Sequence, residues 1–363
     1  TFLDPSTHYT PPTERVESVE VLRGTVLAYG PLANHGVVNF RNLNPFGPNE
    51  TVVSAAIGHT DGVKKDVNNY RHVHTRQSLG NAGVVASYSG GESGGTWDNE
   101  VLRYNDFYGA IGLRGSNQDV TVSGGYFRQR DNYDESNFVG LEDDFYRYGR
   151  RKSDRPGSGF GVQRDARWGQ TDFNTYNADF YRVQLAHNFY IDPDTTLTTR
   201  LYYNSHERNR FQARRGGPDG DITQDPVPIG TIGGMRGRER TYENYGFDSR
   251  IEFANRQLFA GMTYDLQAGV RYEEHSFRNC NSSGVYGEVL KASNGGDCFA
   301  QRNTTSGSGS PIGDNRHVEN GALSKYDADA FSAFIQAAIH VTRNLTITPG
   351  VRLESYDIHA HEI

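Results

Sequence analysis

Long apolar runs are missing from this chain. No stretch of eighteen apolar residues occurs in its 363, which excludes a transmembrane helix. Hydrophobic residues make up only 35%, and mean hydropathy is -0.71, low for a compact globule of this length. Cysteine, methionine and tryptophan number two each. Lysine is confined to Lys64, Lys65, Lys152, Lys291 and Lys325, so nearly every positive charge is an arginine. The formal net charge of -7 argues against general nucleic-acid binding, which depends on neutralising phosphates. No phosphate loop, zinc motif or supported Ser/His/Asp constellation occurs, so nothing points to an enzyme or to a cofactor. The chain opens without Met or a secretory leader and reads as mature or truncated.

What is abundant is Gly (42), Tyr (22) and Phe (19). That composition suits a transmembrane β-barrel, whose alternating strands have weak average hydrophobicity. A sandwich of short strands would share it. Period-two alternation is clearest late in the chain. Phe331, Ala333, Ile335, Ala337, Ile339 and Val341 form one face, against Ser332, Phe334, Gln336, Ala338 and His340. Leu345, Ile347, Val351 and Leu353 then oppose Thr346, Thr348, Arg352 and Glu354. The same pattern runs through 197–204, 247–253 and 265–273, with ionised groups of both signs on the polar face.

The connections separate the two architectures. Tight turns at 116–119, 192–194 and 342–344 alternate with long polar excursions near 131–173, 210–240 and 278–324. Short turn, long loop, short turn is the asymmetry of outer-membrane barrels. About eleven strands are counted, from near Thr51 to near Tyr356. Plugged outer-membrane transporters have about 22 strands. The expected fold is all-β: half of an antiparallel transmembrane barrel at 46–363, preceded at 1–45 by the end of an internal plug. Half a barrel leaves two bare edges, which lipid does not tolerate, so further strands are expected beyond this stretch.

The segment Glu14-Arg-Val-Glu-Ser-Val-Glu-Val-Leu-Arg-Gly24, then Tyr29-Gly30 and Gly36-Val-Val-Asn39, resembles the closing stretch of the plug of TonB-dependent outer-membrane receptors. Thr25, Val26 and His35 depart from that pattern. The TonB box and the earlier part of the plug are not in this stretch. Arg164-Asp-Ala-Arg-Trp-Gly169 and Ile347-Thr-Pro-Gly-Val-Arg-Leu-Glu354 are similar to stretches of the ferric citrate and ferric siderophore branch. The resemblance implies a multi-pass barrel in the outer membrane of a Gram-negative bacterium, among lipid and lipopolysaccharide. It implies import of a ferric siderophore or ferric citrate, energised by TonB and its inner-membrane complex. A receptor for a glycan, cobalamin or haem is the alternative, and a passive porin or adhesin a further one. By the same resemblance Arg23 matches a plug arginine that locks onto barrel-wall glutamates, here expected beyond Ile363.

Candidate ligand contacts are Arg147, Arg150, Arg151, Arg164, Arg167 and Trp168, since fixed guanidinium forks chelate the carboxylates of an anionic iron complex. Solvated loop charges, or contacts to lipopolysaccharide phosphates, are the plainer reading. A second arginine cluster, Arg208, Arg210, Arg214, Arg215, Arg236, Arg238 and Arg240, flanks the next loop. Cys280 and Cys298, both read into the loop at 278–324, are expected to form a disulfide outside the cell. His72-Val-His74 and His359-Ala-His361 each put two imidazoles on one strand face, a possible metal geometry. They lie near strand ends, however, where two unlinked polar residues facing the lumen explain them, and no metal site is assigned.

Overall fold

A computed structural model describes residues 11–23, 27, 36–60, 66–94, 101–132, 175–213, 235–259, 261–284 and 316–361. A single 3-10 turn at Thr13–Arg15 leads into β1 (Val16–Arg23), which pairs antiparallel with β2 (Gly36–Asn42). After a short linker a meander begins: β3 (Glu50–His59), β4 (Val67–Leu79), β5 (Ala82–Gly94), β6 (Val101–Arg114) and β7 (Gln118–Asn132). It continues with β8 (Thr175–Asp192), β9 (Thr195–Ala213), β10 (Met235–Gln257) and β11 (Thr263–Gly284). It closes with β12 (Arg316–Thr342), β13 (Leu345–Ile347) and β14 (Gly350–His361). Every strand from β3 onward pairs antiparallel with its chain neighbour, and β13 and β14 both pair β12. Those two share one register, with Ile339 opposite Ile347 and Gln336 opposite Gly350. They are one strand, broken in assignment where Pro349 has no N–H to donate. The Ala337 N–H still reaches the Pro349 carbonyl at 2.9 Å. The wall is thus an antiparallel barrel segment of eleven strands.

Its outward face is apolar and exposed: Val53, Ile57, Ile111, Leu113, Val183, Leu201, Phe331, Ile335 and Leu353 all lie bare. A water-soluble domain does not leave so broad an apolar surface uncovered, whereas lipid covers it. Aromatic rows mark the edges of the band. On the outer side Tyr126 stacks on Tyr181 at 4.7 Å, and Tyr88 meets Phe107 and Tyr203 meets Tyr245 in tilted pairs, each at 4.9 Å. Their hydroxyls turn away from the band: Tyr126 donates to Asp179 at 2.7 Å and Tyr203 to Glu243 at 2.8 Å. Phe189, Phe253 and Tyr264 form the opposite row, each eight residues along its strand from Tyr181, Tyr245 and Tyr272. Eight residues at about 3.3 Å and a tilt of about 40° span about 20 Å, close to the apolar height of an outer-membrane barrel.

Tight turns gather at one end of the wall, as at Gly80-Asn81, where Gly80 takes φ +61 in a two-residue hairpin. The strands overrun the other end, β12 reaching 27 residues where about ten cross the membrane. Here the structure corrects the sequence reading. The excursion read at 210–240 is partly strand, with Arg208 and Arg210 on the end of β9 and Arg236, Arg238 and Arg240 on the start of β10, and Cys280 lies within β11. Beyond the membrane both faces of a strand meet polar surroundings, so the alternation that betrays a strand disappears.

Inward, large rings lie flat on glycines of the next strand. An added Cβ at Gly246 would fall 2.0 Å from the Tyr202 ring, and one at Gly269 2.7 Å from Phe334. The linker after β2 is seated the same way: a Cβ at Gly83 would meet the Pro45 carbonyl at 2.1 Å, and one at Gly112 the Phe46 ring at 2.5 Å. Leu43, Val85, Tyr108 and Ala110 form the small apolar core between hairpin and wall.

Candidate functional site: the hairpin seat and the lumen wall

The β1–β2 hairpin rests on the inward face of β3–β6, held by charge. Arg15, just before β1, donates from Nε to Asp106 Oδ1 at 2.7 Å and from Nη2 to Oδ2 at 3.2 Å. Both side chains are 1% exposed. Asn42 accepts from Nη1, and the guanidinium carbon sits 4.9 Å over the Tyr108 ring. A second arginine answers from the wall. Arg76 on β4 bonds Glu17 of the hairpin at 2.8 Å, Glu50 of β3 at 2.6 Å and the Pro48 carbonyl at 2.8 Å. Arg352 on β14 reaches the Leu27 carbonyl and bonds Ser332 at 2.7 Å. The hairpin therefore touches the wall both near its start and, across the lumen, close to its end.

Arg15 had escaped the sequence reading, which placed the lock at Arg23 with partners beyond Ile363. Arg23 closes β1 opposite Gly36, but its side chain lies outside the described residues. Arg15 stands in the same Glu14-Arg-Val-Glu motif, yet it precedes the strand, and no alternation there tells which way it faces. Its partner is within this chain, 91 residues on.

Beneath the hairpin β4 carries a buried imidazole pair. His72 Nε2 and His74 Nδ1 lie 2.8 Å apart, His72 Nδ1 is 2.7 Å from Ser89 Oγ, and His74 Nε2 is 3.5 Å from Glu50. The pair is therefore mid-strand and linked, unlike the expected unlinked residues at a strand end. His359 and His361 also depart from expectation. They occupy the outward register of β14, where His361 is 2.8 Å from Asp327 and His359 3.5 Å from Asp357. Among the described residues no group of three or more His, Cys, Asp or Glu is arranged to hold a metal ion.

Higher on the wall, five inward rings run across β8–β12. Phe180 meets His206 at 6.0 Å, His206 stacks on Tyr242 at 5.7 Å, Tyr242 on Phe277 at 4.9 Å, and Phe277 on Tyr326 at 6.1 Å. Arg208 and Arg240 both reach the Tyr242 hydroxyl at 3.4 Å. Below this row Arg271 pairs with Asp248 at 3.1 Å, with Arg200 at 3.8 Å from the same carboxylate, and Tyr202 donates to Glu273. The arrangement is a polar lumen lined by guanidinium groups and aromatic faces. Arg147, Arg150, Arg151, Arg164, Arg167 and Trp168 lie outside the described residues. Cys280 is fully buried and disulfide-bonded, and Cys298 lies outside the described residues.

A lipid-facing antiparallel wall with an inner hairpin clamped to its polar face defines a plugged barrel of the outer-membrane class. The family model for the TonB-dependent receptor-like β-barrel matches residues 125–362, well over half the chain. The chain belongs to the TonB-dependent receptors. Among solved structures it is similar to the ferric citrate transporter FecA in its unliganded form, at 14% identity and a TM-score of 0.70, covering 95% of this chain and 44% of that one. It is similar to the ferric-catecholate import receptor Fiu from E. coli K12 in its open form, at 13% identity and 0.66, covering 96% and 51%. The copper transporter OprC matches at 12% identity and 0.61, covering 96% and 43%. These likenesses concern fold, and this chain spans about half the length of those proteins. No curated protein matches the sequence.

Proposed function

We propose that this chain is the plug-closing segment and first half of the barrel of a TonB-dependent outer-membrane transporter that imports a ferric chelate. Residues 1–45 are read as the end of the plug and 46–363 as wall, with the remaining strands closing the barrel against β3 and β14. The observation that carries the reading is the guanidinium and aromatic lining of the lumen, Arg208 and Arg240 at Tyr242 above the Arg271–Asp248 pair. Ferric siderophores and ferric citrate present anionic oxygens and flat organic faces, which guanidinium forks and rings recognise. Arg147, Arg150, Arg151, Arg164 and Arg167, outside the described residues, are proposed as further contacts by the same chemistry. TonB supplies the energy in this reading, and the clamped hairpin is what its pull must disturb.

The test is titration of the full-length receptor with ferric citrate and with ferric catecholate and hydroxamate chelates. Sub-micromolar binding of one of them is expected, weakened at least tenfold in the Arg208→Ala/Arg240→Ala variant. Iron starvation should raise expression. No binding of any ferric chelate, with expression unmoved by iron, would discard the iron reading and leave the fold untouched. The row Phe180, Tyr242, Phe277, Tyr326 favours one second reading, a glycan stacked on those rings. Oligosaccharide binding without chelate binding would select it.

A further inference from the structure

The hairpin seat contains a group whose protonation the geometry restricts. A hydrogen bond between two imidazoles needs a proton on one facing nitrogen and a lone pair on the other. With His72 Nε2 and His74 Nδ1 at 2.8 Å, the seated pair can hold at most one extra proton. Two would set N–H against N–H. The outer nitrogens of the pair face Ser89 Oγ, 2.7 Å from His72 Nδ1, and Glu50, 3.5 Å from His74 Nε2. The rings are 2% and 5% exposed, and Ser89 is fully buried, so water cannot replace either partner while the hairpin is down.

Charged and titratable groups face the pair from the hairpin, β3, β4 and β6. From the hairpin come Glu14, Arg15 and Glu17, from β3 Glu50, from β4 Tyr70 and Arg76, and from β6 Tyr104 and Asp106; β5 contributes only Ser89. Glu50 is shared, at 2.6 Å from Arg76 and 3.5 Å from His74. Arg76 in turn holds Glu17 of the hairpin at 2.8 Å. A charged His74 competes with Arg76 for Glu50 and repels it, so the imidazole pair and the hairpin anchor are mechanically one network.

We infer that the His72–His74 pair is a proton-sensitive joint of the hairpin seat, intact near neutral pH and loosened by acid. This rests on reading the hairpin as the plug, not on the identity of the cargo. Once the hairpin lifts, water reaches both rings and each can take its own proton. Opening therefore binds at least one more proton than the seated state allows. By linkage the state that binds more protons gains as pH falls through the imidazole range near 6.5. One proton gives about a 10-fold rise in the opening equilibrium between pH 7.5 and 5.5, and two give up to about 100-fold.

The Leu43 amide, which donates to the Arg15 carbonyl at 2.9 Å within the hairpin, reports the seat indirectly, since a two-stranded hairpin lifted off the wall is marginal and opens to water. Its hydrogen exchange in the full-length receptor, corrected for the intrinsic pH dependence of exchange, should show that rise in the parent protein. The His72→Gln/His74→Gln variant should show less than a threefold change over the same range. Single variants His72→Gln and His74→Gln also lift the shared-nitrogen restriction and should flatten the response, so the test survives a double variant that fails to fold. A flat profile in the parent, or an unchanged slope in the variants, would overturn the inference. Exchange reads no transport, so its outcome is independent of whether any ferric chelate binds.

Discussion

Asp106→Asn removes one charge of the buried pair and takes from Arg15 the carboxylate that accepts two of its hydrogen bonds. One-sided loss of such a pair costs about 3–5 kcal/mol. The hairpin has one escape, which is to lift and hydrate the guanidinium. Lifting exposes Leu43, whose burial is worth about 1.5–3 kcal/mol, and forfeits the Arg15–Tyr108 contact, worth up to about 2. The two costs are similar, so the variant should populate the lifted state far more than the parent does. Taking about 3 kcal/mol as the net change, Leu43 amide opening should rise roughly 100-fold, each tenfold step being about 1.4 kcal/mol. The paired replacement Arg15→Met/Asp106→Leu leaves no orphan charge and should return within about tenfold of the parent. Hydrogen exchange on the full-length receptor reads Asp106→Asn and the four corners of the cycle: the parent, Arg15→Met, Asp106→Leu and the paired variant. Exchange in Asp106→Asn within threefold of the parent, or a paired variant no better than the singles, would refute the claim that charge seats the hairpin.

Other outcomes follow from the wall. Gly83→Ala drives a methyl group to 2.1 Å from the Pro45 carbonyl, a backbone atom that cannot rotate away, so the linker must unseat. Gly80→Ala has open space and only the strain of φ +61, of order 1 kcal/mol, and refolding yields of the two should differ clearly. Leu201→Arg on the lipid face should lower refolding stability by about 2–4 kcal/mol in bilayers, and Thr198→Arg on the lumen face by less than half of that. Equal losses would deny the assignment of faces. Reducing the Cys280 disulfide should cost about 3 kcal/mol, measured as a shift in the chemical denaturation midpoint of the full-length protein.

Phe331 to Leu353 could be assigned to a face from sequence because a strand between lipid and a wet lumen must alternate. Arg208, Arg238 and Arg240 could not be assigned even to a strand, since outside the membrane both faces are polar and the period vanishes. Pro349 shows the opposite case. A proline often ends a strand, yet the faces of Ile347 and Val351 read straight through it, and the ladder passes because the bond at its carbonyl survives. His359 and His361 were put on the wrong face: the period carried on from Val351 and Leu353 places them outward, but the apolar Ile358 and Ala360 of the opposite parity blur it at the polar tip. His72 and His74 were visible as a pair. What they touch was not, since Ser89 and Glu50 come from the strands on either side.

The order of the residues was sufficient for the wall: which strands exist within the membrane, that they pair in a meander, and which side meets lipid. These depend on short-range rules, the two-residue period and the length of turns, and each can be read within a few residues. The seat of the hairpin depends on contacts 59 and 91 residues apart, Glu17 with Arg76 and Arg15 with Asp106. No local pattern encodes such a contact. It arises only when curvature of the wall brings one arginine, one carboxylate and a patch of glycines to the same dry place.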